Sequence, residues 1–168
     1  MRAPASKTQI LLARLAILLI AVFVVLGVAF HGLSTEVFGR IWQNMLDRPA
    51  GPMTFRFVLQ PIMAAIAALY DGIKDARGGR THYLWTVLTD PAKRIGRLSE
   101  GVISTARVIL LGLCMDTIYQ YIVFDTFHPA EAVITSLLLA FVPYVLLRGP
   151  VSRLASWWRG TGPADKAR

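Results

Sequence analysis

The sequence predicts an all-α fold: a small helical membrane protein with four transmembrane helices, short interfacial amphipathic helices, and both termini on the cytoplasmic side. Three observations carry that expectation. Four apolar runs can be drawn, over about residues 10–30, 53–70, 104–124 and 132–147, and roughly 20 such residues take a helix across a hydrocarbon layer. More than half of the 168 residues are apolar, which leaves too little polar sequence to coat a soluble domain. The basic residues alternate: 71–101 holds Lys74, Arg77, Arg80, Lys93, Arg94 and Arg97, whereas no Lys or Arg lies between Phe124 and Ala132. Lys/Arg-rich loops stay cytoplasmic during insertion, and the alternation works with four spans and fails with three.

The first run is dense in Leu, Ile, Val and Ala, with no polar group between Leu15 and Phe30, and suits a helix facing lipid on most sides. Arg2, Lys7 and the small residues Gly27-Val28-Ala29 imitate a cleaved signal sequence. Signal cores are only about 7–15 residues long, so an uncleaved span is expected, with Arg14 snorkelling back to the headgroups. Residues 35–47 then place Val37, Phe38, Ile41, Trp42, Met45 and Leu46 apart from Glu36, Arg40, Asn44 and Asp47. This is an amphipathic helix, expected to lie in the outer interface. Pro49-Ala50-Gly51-Pro52 turns the chain back.

The second run contains Arg56, Gln60 and Pro61 among Ala, Ile, Leu and Met, a composition suited to packing between helices. The competing arrangement, a helix lying on the surface, would put the six-cation loop on the opposite side from the basic N-terminus. From Asp71 to Ser99 a polar connection is expected, broken by Gly72, Gly78 and Gly79, with Tyr83 and Trp85 at headgroup level. Asp90 as N-cap and Pro91 in the first turn open a basic inner-surface helix over 91–99. After the fourth run, Gly149-Pro150 should end the helix, and 151–159 sets Leu154, Trp157 and Trp158 against Arg153 and Arg159, again interfacial. Lys93, Arg94, Arg97, Arg153 and Arg159 are therefore the expected contacts to anionic lipid headgroups of the bilayer. The whole chain, 1–168, reads as a single integral membrane domain without internal repeats.

The stretch Phe55-Arg56-Phe57-Val58-Leu59-Gln60-Pro61, together with Asp75-Ala76-Arg77-Gly78-Gly79-Arg80 and Leu147-Arg148-Gly149-Pro150, resembles a group of uncharacterised proteobacterial, more narrowly alphaproteobacterial, multi-pass inner-membrane proteins. The likeness covers about residues 55–150. It implies a bacterial inner-membrane address and a helical fold, and carries over no activity.

Asp116 is the first candidate for a site. Counted from Ser104 at 1.5 Å per residue it lies about 18 Å into an apolar layer of about 30 Å, where a carboxylate is expensive and marks a functional or packing centre. Gly112, Tyr119 and Gln120 share its helix face. Arg56, Gln60, Ala64 and Ala68 form a matching stripe on the second span. If the two spans are antiparallel neighbours, depth counting sets Gln60 opposite Gln120, Ala64 opposite Asp116 and Ala68 opposite Gly112, with Arg56 reaching down from the outer side towards Gln120 and Asp116; small residues allow close approach. Either a polar clamp or a proton or ion relay fits this set, the clamp better.

The remaining groups point to no chemistry. Cys114 sits in an apolar run and is expected to be a small buried hydrophobe. His31, Asp125, His128 and Glu131 gather near one outer loop and are candidate ligands for a metal, or the two histidines for a haem. Their spacing fits no established motif, so a solvated turn is the better reading, with Phe124 and Phe127 as headgroup anchors. The run 74–80 lacks the Lys-Ser/Thr ending of a phosphate loop. His82 is expected to be exposed. The net charge of +8 flanks apolar runs rather than a soluble face, which argues against nucleic acid, and no cofactor or metal is expected. No nucleophile–His–acid set is present, so the expected function is non-enzymatic: an accessory, scaffold or assembly protein of the inner membrane, as a homo-oligomer or as a subunit of a larger complex. The alternative is a transporter or channel component using Asp116, and a lipid-modifying enzyme comes third.

Overall fold

Ser6 starts the first helix. Its hydroxyl accepts from the Gln9 backbone N–H at 3.2 Å while the Gln9 side chain accepts from the Ser6 N–H at 3.0 Å, a reciprocal capping box. From there α1 (Lys7–His31) runs 25 residues, about 38 Å. The computed structural model describes residues 5–32, 35–47, 53–81, 83–123 and 126–158. Among these, every regular element is a helix: after α1 come α2 (Thr35–Asp47), α3 (Arg56–Arg77), α4 (Tyr83–Thr89), α5 (Pro91–Val123) and α6 (Pro129–Trp158). Four of them, α1, α3, α5 and α6, are long and apolar enough to cross a membrane, as the four apolar runs require.

The α6 helix is the hub. It packs most extensively on α3, then on α5, and α1 covers the α5–α6 pair. Helix α3 presents a strict every-fourth-residue stripe of buried positions, Arg56, Gln60, Ala64, Ala68, Gly72 and Ala76. Helix α6 presents another: Ala132, Ser136, Ala140, Tyr144, Arg148 and Ser152. Rows spaced by four residues lie along one helix face, and their small members let the backbones approach. At Gly72 an added Cβ would stand 2.7 Å from Val151 Cγ1 and 3.0 Å from the Arg148 carbonyl oxygen. Of the four long helices α1 makes the lightest contact, burying Ala13, Ala16 and Gly27. Leu12, Leu19, Ile20 and Phe23 pack partly against the core, while Leu11, Ile17, Leu18, Val25 and Phe30 point outward, as expected of a helix largely bathed in lipid.

Several boundaries differ from the sequence expectation. The second span does not give way to a loop at Tyr70: α3 continues to Arg77 because Asp71, Gly72, Asp75 and Ala76 are buried against its neighbours. It ends at Gly78 and Gly79, the latter at φ 60°, a conformation glycine adopts without cost. The basic helix over 91–99 is not separate. It is the first part of α5, which is capped by Asp90 Oδ1 on the Lys93 N–H at 3.2 Å. Nor does Gly149-Pro150 end α6. The missing proline donor costs one hydrogen bond, while Val151 packs on Gly72 and Ser152 is buried with its hydroxyl donated to the Gly149 carbonyl at 2.8 Å, so packing carries the helix through. Tyr83 is not a headgroup anchor but fully buried, whereas Trp85 is exposed.

Candidate functional site: two buried ion clusters

The outer cluster grows from three helices. Arg56 in the first turn of α3 meets Asp116 of α5, Nη1 to Oδ1 at 2.7 Å, with both side chains at most 1% exposed. Gln120, one turn along α5, donates from Nε2 to Asp116 Oδ2 at 2.7 Å. The same amide accepts from the His128 backbone N–H at 2.6 Å and donates to the His128 carbonyl at 3.1 Å. The carboxylate is thus neutralised by α3 and tied to the chain entering α6. Tyr119 is buried on the same side of α5.

Depth counting placed α3 and α5 two turns out of register. A Cβ on Gly112 would lie 3.2 Å from Gln60 Nε2 and 2.9 Å from Ser136 Oγ, so Gln60 faces Gly112, where Ala68 was expected. The slip is eight residues, about 12 Å. Ion pairs fix it at both ends: Arg56 with Asp116, and Asp75 with Arg97. Run boundaries mark hydropathy, not backbone level, and could not reveal this. Helix α3 also packs less on α5 than on α6, so the small residues Ala64 and Ala68 chiefly serve the α3–α6 interface that the sequence reading missed.

Glu131 does not lie in a solvated turn but in the first turn of α6. Glu131 is 1% exposed; it accepts two hydrogen bonds from Asn44 Nδ2, at 3.2 and 3.1 Å, and faces Arg40 Nε at 3.7 Å. The polar side of α2 is therefore docked on the start of α6, while Trp42 and Leu46 stay exposed. His31 and His128 stack with centroids 4.7 Å apart, which leaves no gap for a porphyrin between them. Burial holds His128 below the usual imidazole range. Glu131 opposes that shift, and Arg40 and His31 add to it. Phe127 packs edge-on against Phe23 rather than anchoring at headgroups. Asp125, Phe124, His82 and Arg159 lie outside the described residues. Among the described residues no three His, Cys, Asp or Glu side chains gather as a metal site requires.

The inner cluster was not foreseen. Arg148 of α6, fully buried, donates from Nε to Asp75 Oδ2 at 2.8 Å and from Nη2 to Glu100 at 3.2 Å, and its Nη1 donates to the Tyr144 hydroxyl. Tyr144 donates to Asp71 at 2.7 Å, and Ser104 donates to the same carboxylate oxygen. Arg97 bridges Asp75 and Glu100, each at 3.3 Å, and donates to the Thr81 carbonyl at 2.8 Å. Arg80 closes the set on Glu100 and Asp75 at 3.2 and 3.5 Å. Two buried guanidiniums, Arg97 on α5 and Arg148 on α6, and the exposed Arg80 in the connection after α3 thus face three carboxylates on α3 and α5. Tyr83 roofs them: its hydroxyl donates to the Arg97 carbonyl at 2.9 Å, and Arg148 lies 4.3 Å over its ring. Burial pushes the Tyr83 phenol up to about 12, against the pull of Arg148. The signal was present in the sequence: Asp75 lies one turn beyond Asp71, which itself follows the Arg56–Ala68 stripe on α3, and Tyr144-x-x-x-Arg148 continues the Ser136–Ala140 row.

Of the expected headgroup cations, Arg97 is therefore a buried network member. Lys93 pairs with Asp90 at 2.8 Å, Arg94 caps α4 by donating to the Val87 and Leu88 carbonyls, and Arg153 is exposed. Cys114 is exposed on the outside of the bundle, not buried. Between the two clusters lie Ala64, Ala68 and Ala140, all fully buried. On α6, Ser136 and Tyr144 stand about 12 Å apart in helix rise across this layer. Comparison with family models, curated proteins and solved structures gives no match.

Proposed function

We propose that this protein is a non-enzymatic accessory, scaffold or assembly protein of the bacterial inner membrane, working as a subunit of a larger complex or as a homo-oligomer, with both termini cytoplasmic. The observation that carries the reading is charge balance. Arg56 answers Asp116, and Arg80, Arg97 and Arg148 answer Asp71, Asp75 and Glu100. An alanine layer separates the two sets. Buried charges that satisfy one another hold helices in register, whereas a transport path needs a polar route from side to side. Orientation follows the basic residues around the inner cluster.

One observation favours the transporter alternative. The Gln60 amide and the Ser136 hydroxyl are fully buried without a hydrogen-bond partner among the described residues, and such groups call for internal water. Two measurements decide. Reporters fused within 76–80 and after Arg168 should read cytoplasmic, and one at His128 periplasmic; the reverse pattern overturns the orientation. Purification in mild detergent should bring down a stoichiometric partner or a homo-oligomer. If Asp116→Asn keeps the fold but abolishes a pH-dependent flux in vesicles, the scaffold reading falls.

A further inference from the structure

Of the three arginines on α5, Arg97 is buried in the inner cluster and Arg94 is bonded to α4 carbonyls. Arg107 is different. It is exposed, and among the described residues it makes no ion pair or hydrogen bond. Two contacts with α6 fix its depth. An added Cβ on Gly101 would stand 3.2 Å from Phe141 Cε2 and 3.3 Å from Tyr144 Cε1, and one on Gly112 would stand 2.9 Å from Ser136 Oγ. Arg107 lies between these two glycines, hence at about the level of Ala140, in the alanine layer. Along α5 it is ten residues from Arg97 and nine from Asp116, about 15 and 14 Å, so it stands midway between the two clusters. Headgroups begin about 15 Å from the centre of a layer about 30 Å thick, beyond the reach of one side chain. A guanidinium facing lipid there is costly and calls for a counter-charge.

The face around it has the form of a helix-packing seam. Arg107, Leu111, Cys114, Ile118 and Tyr121 follow one another at steps of four, three, four and three residues, the spacing that keeps one side of a helix against a neighbour. Leu111 is half-buried and the others are exposed. A second copy of this chain cannot supply the missing charge. The four long helices contain five carboxylates, Asp71, Asp75, Glu100, Asp116 and Glu131, and each already faces an arginine of its own chain. Two copies packed on this seam would set Arg107 against Arg107. We propose that the Arg107 face of α5 docks a spanning helix of a different protein, one that carries an Asp or Glu at mid-membrane depth. The inference rests on the accessory reading and narrows it to a complex of unlike chains.

The test reconstitutes the full chain in phosphatidylcholine vesicles with a synthetic Leu/Ala helix of about 20 residues bearing one central Asp. Fluorescence energy transfer between labels at the ends of the two reads their association. The Asp helix should bind about tenfold tighter than the same helix with Leu at that position, as a polar contact between spanning helices gives. Moving the Asp two turns towards either end should erase the preference, and so should Arg107→Gln. Arg107→Glu should transfer it to a helix with a central Arg. Equal binding of the Asp and Leu helices, or a preference that survives Arg107→Gln, would overturn the proposal. Loss of the preference when phosphatidylglycerol replaces phosphatidylcholine would assign Arg107 to lipid headgroups and overturn it too. So would a Cys114–Cys114 disulfide formed by the chain alone at high lipid dilution, since that makes the occupant a second copy. Should Arg107→Gln lose its helical circular dichroism, the native chain decides by central against displaced Asp. A stoichiometric partner in detergent without any preference for the Asp helix would overturn this inference and leave the accessory reading standing. The preference without a partner or oligomer in detergent would do the reverse.

Discussion

Arg56 and Asp116 belong to different helices, yet their guanidinium and carboxylate meet at 2.7 Å in the interior of the bundle. Neither has solvent to fall back on. Removing one partner strands the other charge, whereas removing both leaves an apolar contact. Arg56→Met alone is expected to destabilise the fold by about 3–5 kcal/mol, and Arg56→Met with Asp116→Leu to recover most of that loss. Thermal unfolding in detergent, arranged as a double-mutant cycle, measures the coupling. Additive losses would mean that the two groups do not depend on each other.

Arg148 uses Nε and both terminal nitrogens on three different acceptors. A lysine keeps the charge but cannot span that fork. Arg148→Lys should therefore behave almost like a loss of the side chain, lowering stability by roughly 2–4 kcal/mol, since hydrogen bonds to charged groups contribute about 1.5–3 each. A midpoint of unfolding within error of the native chain would show that charge alone suffices.

Packing between α3 and α6 predicts a contrast between two glycines and between two alanines. Gly72→Ala drives a methyl into Val151 and the Arg148 carbonyl and should cost about 1–3 kcal/mol. Gly39→Ala meets nothing within 4 Å and should be neutral or gain up to about 1 kcal/mol from helix propensity. Ala64→Leu should likewise be worse than Ala65→Leu, because Ala64 is fully buried and Ala65 only partly so. The opposite order in either pair would remove α3 from the place described.

Two groups outside the spans give pH dependence of opposite sense. Burial lowers the His128 pKa below its ordinary value of 6.5. The unfolded chain then binds the proton more readily, so stability is full above about 6.5 and falls as pH drops toward the lowered folded value. His128→Asn should flatten that acid slope. Tyr83, raised from 10.0 to about 12, keeps its proton after the unfolded phenol has lost its own, so stability should fall between pH 10 and 12. Tyr83→Phe should remove that alkaline contribution. Equal acid slopes with and without His128, or a Tyr83 phenol titrating near 10 by ultraviolet absorbance, would contradict the burial described.

Much of the architecture was legible in one dimension. The length and composition of four apolar runs specify four long helices, because an apolar segment of that length has to satisfy its backbone internally. The period-four stripe Arg56–Gln60–Ala64–Ala68 and the lone Asp116 marked the polar interior, because a charge in such a run requires a partner. What the sequence could not determine was register and choice of neighbour. Hydropathy varies slowly along a helix, so a slide of two turns leaves it almost unchanged. The ion pairs Arg56–Asp116 and Asp75–Arg97, by contrast, require contact within about 4 Å and tolerate no such slide. Only the tertiary structure made α6 the partner of the alanine stripe and turned Arg97 from a surface cation into a buried one. It alone gathered Asp71, Asp75, Glu100, Tyr144 and Arg148, drawn from three helices, into one network. Each of these residues, taken singly, reads as an ordinary polar group near the end of a span. Their meaning lies in distances between helices, which pairwise packing decides and local sequence does not encode.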